Sequence, residues 1–295
     1  MKRKISIKIM EPSKKKLNRI GIVGLGLIGG SLGLDLQSLG YEVCGLTHRQ
    51  KTLERAKERG LVQIISTDHE ILKDCSIIII ALPLQQLLNP SQELIRNLPQ
   101  QAVVTDVGSV KVPVIKVWRN LHPKFIASHP MAGTTEMGVE AGQRNLFQNR
   151  PWIITPEKST DIESIEIVNK LATQLGSKCI STNAEMHDKA VALVSHLPVL
   201  ISAALLRTAE QSKFNDCLEL ARTISSTGFA DTTRVGGGNP TLGVSMTENN
   251  TSNLIDLLNS YRSSLSKLED LILSSQWKEL EEELKQAKST RISFQ

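Results

Sequence analysis

Cysteine is scarce. Cys44, Cys75, Cys179 and Cys217 are the four in 295 residues, and they fall far apart, with no C-x-x-C pair and no zinc-ligand spacing. That excludes a disulfide framework and a thiolate metal site; no metal is expected. Isolated thiols fit a reducing compartment, so a cytoplasmic protein is expected. Excess charge of one sign is also missing from most of the chain. The formal net charge is +5 and the pI about 9.0, but residues 1–16, MKRKISIKIMEPSKKK, hold seven Lys or Arg and one Glu, leaving 28 basic against 29 acidic residues. A near-neutral remainder excludes a nucleic-acid surface. Residues 1–17 lack the apolar core of a secretory signal and read as a disordered basic leader. Past them, internal repeats and low-complexity segments are absent. Long apolar runs reduce to one, AVALVSHLPVLISAALL at 190–206. It contains Ser195, His196, Pro198 and Ser202 between Lys189 and Arg207, and reads as a buried helix rather than a membrane span.

What is present begins at Arg19. Short β-rich runs alternate with helical patterns: RIGIVG, a helix to Leu39, YEVCGL, a helix over 50–59, SIIIIAL, a helix over 84–97, and AVVTDV. The runs are continuously apolar, as in strands covered on both faces, so the expectation is an α/β fold with a doubly wound parallel sheet. KFIAS (124–128) and WIITP (152–156) are expected to extend that sheet, followed by a helix over 161–175 and a strand near 178–181. After Asn183 the alternation stops, and helices are expected over 184–211, 214–225, 249–273 and 276–288. The division is therefore a Rossmann-type domain at 18–182 and an all-helical domain at 183–295.

GIVGLGLIGGSLG (21–33) carries Gly24, Gly26 and Gly29 in G-x-G-x-x-G spacing, enclosing Leu27 and Ile28, after a strand and at the start of a helix. The first glycine permits a tight turn and the second lets backbone approach a pyrophosphate. The third allows close packing of a helix whose N-terminus holds the phosphates. A carboxylate at the end of the second strand would bind the ribose of NAD, but that segment reads Leu46, Thr47, His48, Arg49, Gln50. A basic and hydroxylated cluster of Thr47, His48, Arg49 and Thr52 predicts NADP instead, against the plainer reading of a solvated basic loop.

Ser109, in GSVK, and His129, in SHPMAG, follow strand C-termini, the edge at which open α/β sheets bind ligands. A nicotinamide enzyme oxidising a hydroxyl needs a base for its proton, and neutral histidine serves near pH 7. His129 is the candidate base and Ser109 aligns the same hydroxyl; the plainer readings are a core ring and a helix cap. His196, at a helix break set by Pro198, is either a ligand contact or a satisfied buried histidine. Arg234, before three glycines in TTRVGGGNP, suits bidentate carboxylate recognition or simple surface solvation.

VGLGLIGGSL, DVGSVK, SHPMAG, HDKAVALVSHLP and TRVGGGNP, in this order and at these distances, together resemble the TyrA family of prephenate and arogenate dehydrogenases. The resemblance omits only the leader. It implies a Rossmann-type domain followed by a helical dimerisation domain, a homodimer, and oxidative decarboxylation of a cyclohexadienol in tyrosine synthesis. It also implies His129 on the ring hydroxyl with Ser109 in support, Arg234 on the ring carboxylate, His196 at the site and Asp188 as structural. Val199, where many prephenate-preferring members carry histidine, favours arogenate over prephenate, with NADP as cofactor. No regulatory extension is evident. The competing readings are a β-hydroxyacid dehydrogenase, which calls for a site lysine, and a non-catalytic NADP-binding sensor.

Overall fold

The computed structural model describes residues 19–134, 136–211 and 217–294. The leader lies outside them, as do residues 214–216 of the helix expected over 214–225. The chain divides into two compact units. The first takes the residues up to Leu82, Asn89–Val107 and Trp118–Ile180; the second takes Pro83–Leu88, Gly108–Val117 and the chain from Ser181 onward. Two short segments that alternate with strands in sequence thus cluster with the helices, and one of them carries Ser109.

In the first unit, six strands form one parallel sheet: β1 (Arg19–Val23), β2 (Glu42–Leu46), β3 (Ile64–Ser66), β4 (Ile77–Ile80), β5 (Val103–Asp106) and β6 (Phe125–Ile126), in the spatial order β3-β2-β1-β4-β5-β6. Val23 stands beside Leu46 on one side and Ile80 on the other. The order reverses at this β1–β4 boundary, which makes a crevice at the strand C-termini. Ile77 to Ile80 are buried throughout, as the unbroken isoleucine run requires of a strand covered on both faces. Helices α1 (Leu27–Ser38) and α2 (Gln50–Glu58) cross between the first three strands. The core gathers Ile20, Ile22, Leu32, Leu36, Val43 and Ile79 with Phe147 and Trp152, whose rings lie 5.7 Å apart and tilted by 52°.

Two expectations need correction here. The helix expected over 84–97 is two, α3 (Leu84–Leu88) and α4 (Gln92–Asn97). Pro90 disfavours helical backbone at Asn89, and the Ser91 hydroxyl accepts from Leu94 N–H at 3.1 Å to start the second helix. Nor does WIITP extend the main sheet. β7 (Ser128–Pro130), β8 (Pro151–Ile154) and β9 (Lys178–Ser181) form a separate three-stranded sheet, with β7 and β8 antiparallel. The chain leaves the main sheet because Ser128 N–H donates to the Asp106 carboxylate at 3.0 Å instead of to a strand neighbour. Helix α6 (Ile162–Gln174) lies between β8 and β9, its N-cap Asp161 accepting from Ser164 N–H.

The second unit is helical: besides α3 it holds α5 (Val112–Trp118), α7 (Ala184–Val191), α8 (Leu197–Gln211), α9 (Leu218–Ile224), α10 (Thr227–Thr233), α11 (Pro240–Glu248), α12 (Thr251–Leu273) and α13 (Trp277–Ser293). The run 184–211 is continuous but widens to a π turn at Ala192–His196. Pro198 has no N–H to give the carbonyl of Val194, and a widened turn just before it accommodates that loss. Ala184–Gln211 is long and apolar enough to cross a membrane by length and composition, yet only 28% of its apolar window is buried. The expectation of a buried helix is therefore only partly met: Ala192, Leu197 and Leu254 form a small core, while Leu193 and Val194 lie open.

Candidate active site

The three glycines of the turn differ in their surroundings. Gly24 sits at φ +92°, where a side chain is strained, and an added Cβ would meet the Ala81 carbonyl oxygen at 2.6 Å. Its N–H donates to Leu46 O at 2.9 Å, tying the turn to the end of β2. A Cβ on Gly29 would meet the Gly24 carbonyl oxygen at 1.9 Å, so α1 packs this close only with glycine there. A Cβ on Gly26 meets nothing within 4 Å. The helix that follows has no side-chain cap and no acidic residue in its first turn, which leaves its leading N–H groups, from Leu27 and Ile28 on, available to an anion. An open face at Gly26 above uncapped amides fits a dinucleotide pyrophosphate. Beyond β2, Thr47 is buried while His48 and Arg49 are exposed and Thr52 is half-buried. Arg49 has no acidic partner among the described residues.

His129 stands in β7, half-buried, opposite Ile153. Its position is set from below: the Ser128 hydroxyl donates to Asp106 O at 2.8 Å and meets the Thr105 hydroxyl at 2.8 Å, and Thr105 donates to Ile126 O at 2.7 Å. Met131 N–H donates to Pro151 O on the far side. Ser128 and Pro130, on either side of His129, take the buried positions.

In the second unit Ser109 does not cap α5. The leading N–H groups of that helix, Lys111 and Val112, donate instead to the two carboxylate oxygens of Asp188 at 2.7 and 2.9 Å. The Ser109 hydroxyl oxygen is buried without a hydrogen-bond partner. Asp188 also accepts from His187 Nδ1 at 2.7 Å, and both residues are buried. His196 ends the π turn, 2% exposed. Its Nδ1 lies 3.3 Å from Asn250 Nδ2, and its Nε2 is buried without a partner. Burial lowers its pKa to about 4, against an opposing pull from Asp188. The ring is therefore neutral near pH 7, and the reading of a fully satisfied buried histidine fails at Nε2.

Arg234 opens a 3-10 turn, Arg234–Gly237, and is exposed. The turn is pinned to α8: the Ser202 hydroxyl donates to Thr232 O at 2.9 Å and accepts from Gly236 N–H at 2.8 Å. A Cβ on Gly236 would meet Ala203 N at 2.4 Å. Glycine is thus needed for close packing at position 236. No hydrogen bond joins Arg234 to His196 or Ser109 among the described residues. Sequence reasoning missed Asn250 and the helices α10 and α11, and it placed Asp188 no further than structural. The signal for Asp188 was a carboxylate inside an apolar helical run.

Residues 32–181 match the family model described as prephenate dehydrogenase, nucleotide-binding domain, and residues 183–286 match prephenate dehydrogenase, dimerization domain. The chain belongs to the prephenate dehydrogenase family. Both halves of the expected architecture, a parallel Rossmann-type sheet and then a helical dimerisation domain, are those of the family. Among solved structures, that of Synechocystis arogenate dehydrogenase is 40% identical with a TM-score of 0.79, covering 94% of this chain and 100% of that one. Prephenate dehydrogenase from Aquifex aeolicus, in complex with hydroxyphenyl propionate and NAD+, is 28% identical with a TM-score of 0.86, covering 94% and 98%. Cyclohexadienyl dehydrogenase of Zymomonas mobilis is 28% identical over 280 residues, 93% of this chain and 95% of its own.

Proposed function

We propose that this chain oxidatively decarboxylates a cyclohexadienol carboxylate, prephenate or arogenate, with a nicotinamide cofactor. The observation that carries the reading is the pair of consecutive family matches over 32–181 and 183–286, joined to a glycine turn whose one open position is Gly26. When bound, the cofactor accepts hydride; the turn and the N-terminus of α1 hold its pyrophosphate. His129 takes the ring hydroxyl proton, Ser109 orients that hydroxyl, Arg234 binds the ring carboxylate, and His196 contacts the substrate. As hydride leaves the ring carbon, the carboxylate departs as carbon dioxide, and aromatisation makes the step irreversible.

The prephenate reading has the wider support, since both domain models and the curated relatives from Bacillus subtilis and Lactococcus lactis carry that name. The arogenate reading keeps one specific observation, the 40% identity to the Synechocystis enzyme, beside Val199. For the cofactor, exposed His48 and Arg49 with no carboxylate at the end of β2 favour NADP, while the Aquifex relative was solved with NAD+. Steady-state kinetics with each substrate against each cofactor resolve both pairs. Specificity constants for arogenate with NADP above the other three combinations support the finer reading. A preference for prephenate or for NAD overturns that part of it, and no turnover in any combination overturns the activity.

The chain is proposed to act as a homodimer through its helical domain. Leu193, Val194, Val244, Ile255 and Leu265 lie exposed on that unit, apolar side chains that a partner copy would cover.

A further inference from the structure

Asn250 stands immediately before α12, in the N-cap position, where an asparagine side chain ordinarily accepts from an N–H of the first turn. Here it makes no such bond. The side chain is buried, and its two ends are spent elsewhere. Nδ2 lies 2.7 Å from the main-chain oxygen of Asp188, and Oδ1 accepts from Asn253 Nδ2 at 2.8 Å. A carbonyl oxygen only accepts, so the nitrogen end of Asn250 must face Asp188, and the orientation of the amide is determined.

Nδ2 then directs its second hydrogen at His196 Nδ1, the two nitrogens 3.3 Å apart. Two N–H groups do not bond to each other, so Nδ1 presents its lone pair and the ring hydrogen sits on Nε2. The Asp188 carboxylate, which could otherwise have drawn a proton to Nδ1, is engaged by Lys111 N–H, Val112 N–H and His187. We infer that Asn250 is a positioning residue that locks His196 as its Nε2–H tautomer, making it a neutral hydrogen-bond donor toward an acceptor oxygen of the substrate. Nε2, buried and without a protein partner, is the atom left to make that bond. The same side chain ties the start of α12 to α7 and, through Asp188, to the segment carrying Ser109. The tautomer follows from geometry alone; the donor role rests on the proposed function.

The test separates these two parts. In the ligand-free protein at neutral pH, side-chain 15N NMR of His196 should show Nε2 protonated and Nδ1 unprotonated. N250L, nearly isosteric and unable to donate, should give a tautomer mixture. N250D, which offers an acceptor, should move the hydrogen to Nδ1 or leave the ring charged. Both variants should raise KM about tenfold or more, with a smaller change in kcat. Nδ1 protonated in the unaltered protein overturns the lock, and this reading stands even if the variants fail to fold. Folded variants that keep Nε2–H and lose only thermal stability overturn it too, since a merely structural clamp behaves that way. A shifted tautomer with unchanged KM overturns the donor role, and with it the placing of His196 at the substrate, while leaving the lock standing.

Discussion

At the scale of single residues, the glycines of the turn separate folding from binding. Gly29→Ala would set a Cβ 1.9 Å from the Gly24 carbonyl oxygen, so the backbone must shift, and thermal or denaturant unfolding should show a loss of about 1–3 kcal/mol. Gly26→Ala adds its methyl to open space. Its melting temperature should stay that of the unaltered protein, while cofactor affinity, read by calorimetry or fluorescence, falls about tenfold or more. Equal loss of stability in the two variants would contradict the separate roles. Arg234→Ala should raise KM with little effect on kcat, by a factor corresponding to about 2–5 kcal/mol if the carboxylate it binds is left unpaired. Unchanged substrate saturation would remove Arg234 from the site. The glycine turn is legible from residue type and spacing; Arg234 is indicated only by the family resemblance, since a lone loop arginine reads equally as solvated surface. The hydrogen on Nε2 of His196 is legible in neither way, because it depends on Asn250, 54 positions away.

At the scale of elements, the turn Arg234–Gly237 is held by Ser202 on α8, so its geometry belongs to two segments. Gly236→Ala would force a Cβ to 2.4 Å from Ala203 N. It should both destabilise the protein by about 1–3 kcal/mol and raise KM through displacement of Arg234; a KM unchanged beside a lowered stability would show that the turn does not place the arginine. The strands of the parallel sheet were readable because a β-branched run covered on both faces has few alternatives. What was not readable follows from bonds between distant segments. Ser128 N–H goes to Asp106, which ends the main sheet at β6 and sends WIITP into a second sheet. The N–H groups of α5 go to Asp188, which frees Ser109 from the capping its sequence suggests. No local pattern contains either bond.

At the scale of the whole molecule, buried neutral histidines link stability to pH. The pKa of His196 falls from an ordinary value near 6.5 to about 4 through burial, and burial lowers that of His122 as well. Between those two values the unfolded chain binds protons that the folded chain refuses, so stability rises with pH across about 4 to 6.5 and levels off above. Urea titrations through this window should show His196 contributing up to about 3 kcal/mol, and His196→Gln should flatten the slope; an equal slope in the variant would contradict the burial account. Light scattering should give a dimer mass at micromolar concentration, and a monomer mass would count against assembly through the helical domain. The succession of a sheet domain and a helical domain was legible in the change from alternating to all-helical patterning. The clustering of Gly108–Val117 with the helices was not, because that segment follows β5 directly in sequence. The most direct test of the account is the turnover of His129→Asn, measured with substrate and cofactor saturating and with substrate affinity determined separately. Loss of about 10²- to 10⁴-fold in kcat with affinity nearly unchanged is the expected result for a general base; turnover equal to that of the unaltered enzyme would contradict it.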